Sequence, residues 1–296
     1  MHKKLKIGFF GDGLWSHRAI EKISENKDIE ILFIVPRFSS QDPTLYEWSK
    51  KLNIDFIVEK NINSNSSIDK LGSFGADLFV SMSYDQIIKK RLLNLPKKGF
   101  INCHAGLLPF YRGRSVLNWV LINGENYFGI TVHYIDEGID TGDIILQKKY
   151  QILLEDDYAS LLLKASSYCS DILNDSLNLI KVNEVKRIKQ NSINPKGSYF
   201  GLRKSGDEIL NWKQDGKSII NFVRGLVHPG PIARSRINNF NTILISKISK
   251  INYTSFEAHE PGTIVAIQNK LPIVKANDCF LIIREYSLEV KNGNDL

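Results

Sequence analysis

An asparagine and a histidine stand two residues apart where an apolar run ends: Gly99–Asn102 is typical of a buried strand, and His104 follows it. Side chains alternate between the two faces of a strand, so the Asn102 amide and the His104 imidazole are predicted to point to the same side. An amide beside an imidazole at a strand end can polarise a carbonyl group and move a proton. A turn-forming Asn with a hydrogen-bonded structural His is the alternative, and it is the commoner interpretation of such a pair taken alone.

Two further motifs follow this pair in order. Leu108-Pro109-x-Tyr111-Arg112-Gly113 leads into a helical pattern, and Asp140-x-Gly142 follows a β-branched run. Together with Asn102-x-His104, these motifs resemble the N10-formyltetrahydrofolate-dependent formyltransferases, which include enzymes acting on glycinamide ribonucleotide, methionyl-tRNA and amino sugars. The resemblance extends over residues 5–205 and continues more weakly into residues 206–240.

The resemblance implies that Asn102, His104 and Asp140 form the catalytic set. In formyl transfer an amine attacks a formyl carbon, and N–H donors on Asn102 and His104 can stabilise the oxyanion that forms. Asp140 can orient His104, tune its proton affinity or bind a relay water. The sequence leaves open which of His104 and Asp140 takes the proton. Because the nucleophile belongs to the substrate, no Ser or Cys nucleophile is required.

The same resemblance implies a folate site and N10-formyltetrahydrofolate as the cosubstrate. The segment Val80–Ile88 resembles the loop that receives the pterin through backbone groups, and Ile135–Ile139 resembles the loop on its other side. No metal is expected, because the histidines outside the motifs lack metal-ligand spacing. The residues predicted to contact the folate are Ser81, Met82, Ser83, Tyr84, Ile87, Asp136, Gly138 and Ile139.

Three other segments are predicted to bind the acceptor substrate. Gly11–Ser16 has the pattern Gly-x-Gly-x-x-Ser, which lacks the third glycine and the acidic ribose anchor of a dinucleotide site, so it is predicted to be a strand-to-helix turn lining the substrate cleft. Two guanidinium groups, at Arg112 and Arg114, suit a pyrophosphate, although a structural ion pair is an equally good interpretation. The predicted substrate-binding residues are Gly11, Asp12, Gly13, Arg112, Arg114 and Asn118.

Three features of the sequence favour an amino sugar as the acceptor within this family. Pro36–Lys50 is short and not especially basic, whereas the tRNA-directed branch usually carries a longer basic loop there. Tyr111–Arg114 and Leu117–Trp119 look like the nucleotide-sugar branch. Residues 206–296 hold 11 basic and 9 acidic side chains, a balance of +2 that is low for a tRNA-binding domain. We therefore expect a 4-amino or 3-amino deoxyhexose carried on a nucleotide, dTDP rather than UDP or GDP. The resemblance to the amino-sugar branch alone implies that this sugar is made for lipopolysaccharide O-antigen or another surface polysaccharide.

Other functions stay open at this point. Methionyl-tRNA is the nearest alternative acceptor, because the chemistry is the same. A hydrolase of formyl-folate is a further alternative, since the same three residues can direct water. A non-catalytic nucleotide-sugar-binding module is another, although the presence of Asn102, His104 and Asp140 together argues against it. The glycinamide ribonucleotide branch is disfavoured because it ends near the first domain.

The elements that must position these residues alternate between short apolar runs and helical patterns. This alternation predicts a Rossmann-like α/β domain whose parallel sheet is covered on both faces and binds ligands at the carboxyl ends of its strands. Gln190–Gly206 is predicted to be a linker before a small β-rich, OB-like domain. The predicted domains are a formyltransferase catalytic domain at residues 1–205 and the β-rich domain at residues 206–296.

Predicted strands are Lys6–Phe10, Ile29–Val35, Asp55–Val58, Asp77–Ser81, Gly99–Asn102, Gly129–Ile135, Ile144–Ile152, Thr242–Ile248, Gly262–Ile267, Ile273–Lys275 and Phe280–Arg284. Predicted helices are Trp15–Ser24, Pro43–Leu52, Ser66–Phe74, Asp85–Leu93, Ser115–Asn123 with Ser115 as its cap, Tyr158–Val182 and Lys217–Leu226.

Composition sets the remaining limits. With 296 residues, 43% of them hydrophobic and 24% charged, the chain is not predominantly disordered. The net charge of +7 suits anionic partners such as phosphates without requiring nucleic acid. Three cysteines without pair spacing predict neither a disulfide framework nor a zinc site, and no apolar run reaches the ~18 residues of a membrane span. We expect a cytoplasmic protein, and the amino-sugar branch of the family implies a homodimer.

Overall fold

Residues 3–236 and 241–290 are described by a computed structural model, and the chain divides into two compact units. The first unit comprises residues 1–113, 128–150 and 163–199, and the second comprises residues 114–127, 151–162 and 200–296. The second unit therefore includes two segments, residues 114–127 and 151–162, that lie before the predicted boundary. The predicted domain boundary at residue 205 stays a prediction.

The helices and strands have the following bounds. The strands are β1 (Leu5–Gly11), β2 (Ile29–Pro36), β3 (Asp55–Phe56), β4 (Leu78–Met82), β5 (Phe100–His104), β6 (Arg112–Gly113), β7 (Tyr127–Tyr134), β8 (Ile144–Gln151), β9 (Tyr199–Phe200), β10 (Ala233–Arg236), β11 (Asn241–Ile251), β12 (Ile264–Gln268), β13 (Leu271–Lys275) and β14 (Phe280–Val290). The helices are α1 (Gly13–Ser24), α2 (Pro43–Leu52), α3 (Asn65–Ser73), α4 (Lys90–Leu93), α5 (Val116–Ile122), α6 (Tyr158–Val182), α7 (Gln190–Ile193) and α8 (Gly216–Arg224).

The first unit is built around a seven-stranded sheet with the order β3-β2-β1-β4-β5-β7-β8. Strands β1 to β5 pair in parallel, and β7 pairs with β5 antiparallel. From β1 the chain runs outward to β2 and β3 and then returns to β4 on the other side of β1. This reversal places the topological switch point at the carboxyl ends of β1 and β4, where open α/β sheets bind ligands. The prediction of a Rossmann-like parallel-sheet domain is confirmed.

Unalternated apolar strands explain why this sheet is buried on both faces. All five residues of β4 are buried, as are six consecutive residues of β7. On one face the rings of Phe10, Phe33, Phe79 and Phe100 pack together, with centroids 4.9–6.0 Å apart. Gly8 is required beside them, because a Cβ there would meet the Phe33 ring at 2.2 Å.

Three local predictions are wrong. The sequence predicts one helix over Asp85–Leu93, but α4 is confined to the last four of these residues. The Asn63 side chain binds the Ile87 carbonyl and the Lys89 N–H, 2.8 Å each, and so takes the backbone groups that a helix would use. Ser115 occupies the N-cap position of α5 without a capping hydrogen bond from its side chain, because its backbone is left-handed (φ 55°).

The third concerns the predicted linker, Gln190–Gly206, which contains the short helix α7 and strand β9. Gln190 itself is only 3% exposed. The segment preceding it is held by two backbone hydrogen bonds between Ile188 and Ile144, 2.8 and 3.0 Å. Polar composition predicts a solvated linker, but tertiary hydrogen bonds fix the chain directly before it and bind the Gln190 side chain at its start.

The second unit is a β-rich domain, as predicted. Its five-stranded antiparallel sheet has the order β10-β11-β14-β13-β12. Helix α8 covers the sheet with Ile219 and Val223, which join a buried core that includes Ile245 and Leu281. Within the described ranges, no helix combines the length and the apolar character needed to span a membrane.

Candidate active site

The predicted catalytic pair lies at the carboxyl end of β5, next to the switch point. Asn102 is paired with Ser81 of β4 on one side and with His133 of β7 on the other. Because directly paired residues point to the same face, the side chains of Asn102 and His133 meet, with Asn102 Nδ2 3.4 Å from His133 Nε2. His104, two residues later in β5, extends the same face.

Asp140 lies between two imidazoles. Its Oδ2 is 3.7 Å from His104 Nδ1, and its Oδ1 is 3.5 Å from His133 Nε2. Its Oδ2 also accepts a hydrogen bond from the Gly113 N–H at 2.8 Å. The three side chains are 8%, 2% and 13% exposed for His104, His133 and Asp140. The sequence-predicted set is thus brought together in a nearly dry cluster, with His133 as a fourth member.

The partners of the two imidazoles fix where their protons lie. His104 Nε2 is 2.6 Å from the Tyr111 carbonyl oxygen, and His133 Nδ1 is 2.8 Å from the Tyr134 carbonyl oxygen. A carbonyl can only accept, so each of these ring nitrogens carries a hydrogen. The other nitrogen of each ring, which faces Asp140, then gains a proton only when the ring becomes an imidazolium. A proton taken up by either ring is therefore held beside the carboxylate.

The Asp140 carboxylate can stabilise the positive charge of such an imidazolium. Burial alone would raise the pKa of its carboxyl, but attraction to His104 and a hydrogen bond from His133, each in its imidazolium form, and the Gly113 N–H together lower the pKa far below its ordinary value. The carboxylate stays ionised at neutral pH. Asp140 has a left-handed backbone (φ 54°), a conformation that costs free energy for a non-glycine residue and that clusters at functional sites.

Two glycines make this packing possible. A Cβ at Gly106 would lie 2.5 Å from His104 Nε2 and 2.4 Å from the Tyr111 carbonyl oxygen. A Cβ at Gly142 would lie 1.9 Å from the Tyr134 carbonyl oxygen. Real Cβ contacts are never this short, so both positions need glycine for His104 and the Asp140 loop to reach their observed places.

The first predicted folate segment follows β4. Ser81 and Met82 are buried strand residues, and Ser83 has a left-handed backbone (φ 60°). Within the described ranges, the main-chain groups of Tyr84 and Asp85 make no hydrogen bond, which suits recognition of a ligand through the backbone. The Tyr84 hydroxyl is buried without a partner among the described residues, and burial, with Asp85 and Glu59 nearby, raises its pKa.

The outer residues of the two folate segments are more open. Ile87 is 75% exposed and Ile139 is 54% exposed. Asp136 closes a turn by accepting hydrogen bonds from the Gly138 N–H and the Thr141 hydroxyl. The Asp136 carboxylate is thus engaged within its own turn, whereas the apolar side chains of Ile87 and Ile139 face solvent.

The predicted substrate turn is tightly bound to the rest of the first unit. The Gly13 N–H donates to Asp42, 2.8 Å, and the Asp12 carboxylate contacts Arg37 and the Ser40 hydroxyl. A Cβ at Gly11 would meet Ser16 Oγ at 2.2 Å. Gly11 is therefore required for the close approach of α1 to β1.

The three remaining substrate residues lie in different surroundings. Arg112, in the first unit, donates through Nε and Nη2 to Gln190 Oε1, at 3.1 and 2.8 Å. Arg114 and Asn118 belong to the second unit. Arg114 is exposed, whereas Asn118 is 3% exposed and donates its amide to the Gly225 carbonyl at 2.7 Å. Two N–H donors of Arg112 and one of Asn118 are thus engaged inside the protein.

Sequence reasoning missed several residues of the site. Arg37 donates through Nε to the Ser83 carbonyl, 2.8 Å, and so links the ends of β2 and β4. Gln190 bridges Arg112 and the Asp140 loop. Gly106 could have been found from its place between Asn102-x-His104 and Leu108-Pro109, whereas nothing in the sequence marks Gln190.

Comparison with known proteins places this geometry in a family. Residues 5–173 match the family "Formyl transferase", and residues 203–294 match "Formyl transferase, C-terminal domain". The chain is 31% identical over 302 residues to the methionyl-tRNA formyltransferase of Fusobacterium nucleatum, covering 99% of this chain and 96% of that protein. It is 35% identical over 239 residues to the bifunctional polymyxin resistance protein ArnA of Wigglesworthia glossinidia brevipalpis, covering 81% of this chain and 36% of that protein.

Solved structures give a second comparison. The crystal structure of WlaRD, a sugar 3N-formyltransferase in the presence of dTDP and 5-N-formyl-THF, superimposes with a TM-score of 0.66 at 25% identity, covering 100% of both chains. The N-formyltransferase from Helicobacter canadensis, in complex with folinic acid and dTDP-3-aminofucose, shares the fold with a TM-score of 0.69 at 23% identity, covering 96% of this chain and 100% of that chain.

Proposed function

Because the chain belongs to the formyl transferase family, we propose that it transfers the formyl group of N10-formyltetrahydrofolate to the amine of a nucleotide-linked amino sugar. The observation that carries the reaction is the buried Asp140 carboxylate between the imidazoles of His104 and His133, beside the Asn102 amide. Proton transfer and stabilisation of an oxyanion both need such polarised groups in a dry site.

The residues present fit a formyl donor bound through the backbone. The main-chain groups of Tyr84 and Asp85, which make no hydrogen bond within the described ranges, can supply donors and acceptors just after β4, the strand whose Ser81 pairs with Asn102. When bound, N10-formyltetrahydrofolate supplies a formyl group on a nitrogen that departs after protonation. The Asn102 amide has two N–H donors, of which one is aimed at His133, so the second can bind the formyl oxygen. Asp140 stabilises an imidazolium and thereby lets the histidines hold the proton that the amine releases.

The amino-sugar acceptor is inferred because basic side chains that a tRNA would need for phosphate contacts are engaged within the protein. Arg37 is the single basic residue of the connection between β2 and α2, and its guanidinium is directed to Ser83 and Asp12 rather than outward. In the second unit, Arg234 pairs with Glu289 and Lys247 pairs with Glu285, 3.0 and 3.5 Å. Paired cations contribute little to phosphate binding, which dominates affinity for nucleic acid. The likeness to WlaRD, described with dTDP, supports a dTDP-linked sugar.

Methionyl-tRNA is the second candidate acceptor, because the chain and the Fusobacterium methionyl-tRNA formyltransferase match over nearly their whole lengths. Thermal unfolding distinguishes the candidates. We expect 5-formyltetrahydrofolate and dTDP each to raise the melting temperature, with UDP and GDP giving smaller shifts, because ligands that bind only the folded state stabilise it by mass action. A folate shift without any nucleotide shift would favour tRNA, and no folate shift would refute formyl transfer.

A further inference from the structure

Gln190 is a buried amide whose donors and acceptor are all used. Its Nε2 donates to the Asp140 carbonyl at 2.7 Å and to the Gly142 carbonyl at 2.8 Å. Its Oε1 accepts from Arg112 Nε at 3.1 Å and Nη2 at 2.8 Å. Carbonyls only accept and a guanidinium only donates, so these partners fix the orientation of the amide.

These hydrogen bonds fix the loop at residues 140–142, which we call the Asp140 loop. The carboxylate of Asp140 accepts from the Gly113 N–H, and the carbonyl of the same residue accepts from Gln190, whose other end binds Arg112. The dipeptide Arg112-Gly113 and the side chain of Gln190 therefore bind Asp140 from its side chain and from its backbone at once. Gln190 is in turn anchored through the backbone pairing of Ile188 with Ile144 of β8.

The loop needs such support because its conformation is unfavourable by itself. Asp140 has a positive φ of 54°, and a non-glycine residue stays in that region only where its surroundings over-determine it. Two hydrogen bonds from one rigid amide to the carbonyls of residues 140 and 142 supply that constraint. The Arg112 charge on Oε1 polarises the amide and strengthens its N–H donors.

We propose that Gln190 is a positioning residue for the reaction: it holds the Asp140 loop so that the carboxylate reaches the Gly113 N–H and the two imidazoles. The inference rests on the proposed formyl transfer for its effect on rate. Its structural part stands apart from that reaction and has its own measurement, the exchange of the Gly113 amide hydrogen.

Two substitutions separate the hydrogen bonds that Gln190 makes to Arg112 from those that it makes to the Asp140 loop. Gln190→Met removes both N–H donors and the acceptor at similar volume. Gln190→Glu keeps an oxygen for Arg112 and removes the donors to the Asp140 loop. Gln147→Met is the matched control, because Gln147 also donates from Nε2 at 2.8 Å twice, to the Leu108 carbonyl and Thr131 Oγ1, without touching the Asp140 loop.

The test combines hydrogen exchange with kinetics. In both Gln190 variants we expect the Gly113 amide to exchange at least about tenfold faster, while the Tyr134 amide, bonded to the Asp143 carbonyl at 2.9 Å, keeps its protection. We expect kcat to fall about 10- to 100-fold with the KM for the folate within about twofold, since a misplacement near 1 Å costs up to ~100-fold in rate. The pH–rate profile of the variants should shift, whereas Gln147→Met should keep the wild-type profile.

Each result decides a separate question. If Gly113 keeps its protection in both Gln190 variants, the positioning role is wrong, whatever the activity. If kcat falls no more than it does in Gln147→Met, or Gln190→Glu keeps the wild-type rate and profile, the role is also wrong. If the wild-type protein formylates no acceptor, the proposed function fails, and faster exchange at Gly113 still supports the positioning of Asp140 by Gln190.

Discussion

Gly106→Ala tests how closely His104 must be placed. The added Cβ would lie 2.5 Å from His104 Nε2 and 2.4 Å from the Tyr111 carbonyl oxygen. An ordinary carbon–nitrogen contact is about 3.4 Å, so the imidazole must move by about 0.9 Å, and the hydrogen bond from Nε2 to Tyr111 must lengthen or break. Such a displacement of a catalytic group is expected to lower kcat by about 100-fold.

The substitution also costs some stability, about 1–3 kcal/mol for an overpacked site, so rate and folding must be measured together. Gly201→Ala is the matched control, because a Cβ at Gly201 meets nothing within 4 Å. The assay is formyl transfer under saturating folate, with thermal unfolding and 5-formyltetrahydrofolate binding in parallel. Should Gly106→Ala fold, bind the folate and keep kcat within about threefold of wild type, the reasoning that places His104 at the reacting centre is wrong.

Three further predictions concern the same unit. Asn102→Ala should abolish turnover while nucleotide-sugar binding, measured by calorimetry, persists; surviving turnover would show that the site is elsewhere. The pKa of Asp140 is lowered on folding, so its ionised form stabilises the fold above the ordinary carboxyl pKa of about 3.9, and this contribution is lost as the pH falls toward the lowered value. Asp140→Asn should therefore lose less unfolding free energy than wild type between about pH 6 and pH 3 in urea titrations, and an equal loss would contradict the lowered pKa. Ser16→Ala removes a fully buried hydroxyl that bonds the Asp12 N–H and the Met82 carbonyl, 2.7 Å each, and should cost about 1–3 kcal/mol of unfolding free energy, whereas Ser24→Ala at an exposed position should cost less than about 0.5 kcal/mol.

The parts of the fold that were predictable from sequence are those set by local hydrophobic pattern. Unalternated apolar runs gave the parallel strands, and helical spacing placed Pro43–Leu52 and Tyr158–Val182 at their observed bounds. The helix predicted at Asp85–Leu93 failed because Asn63, more than 20 residues earlier, binds the backbone of its first half. Local propensity carries no information about such a long-range hydrogen bond.

The candidate site likewise contains residues that the sequence predicts and residues that only the tertiary structure reveals. Asn102, His104 and Asp140 were recognisable because their spacing is itself a motif, and the fold brings them together. Gln190 was not recognisable, because a single Gln in a polar segment has the composition of a linker, and its function depends on tertiary contacts with Arg112 and the Asp140 loop. For Arg112 the sequence favours a pyrophosphate and a structural ion pair equally, and its hydrogen bonds to Gln190 depend on tertiary structure that neither segment shows alone.

The central claim is tested most directly by offering the purified protein N10-formyltetrahydrofolate with each acceptor in turn: dTDP-linked 3-amino and 4-amino hexoses, their UDP and GDP counterparts, and initiator methionyl-tRNA. We predict that mass spectrometry detects a formylated dTDP-amino sugar, that Asn102→Ala forms none, and that the tRNA stays unformylated. Formylation of methionyl-tRNA without formylation of any sugar would contradict the proposed acceptor, and hydrolysis of the folate without transfer to any amine would contradict the transferase itself.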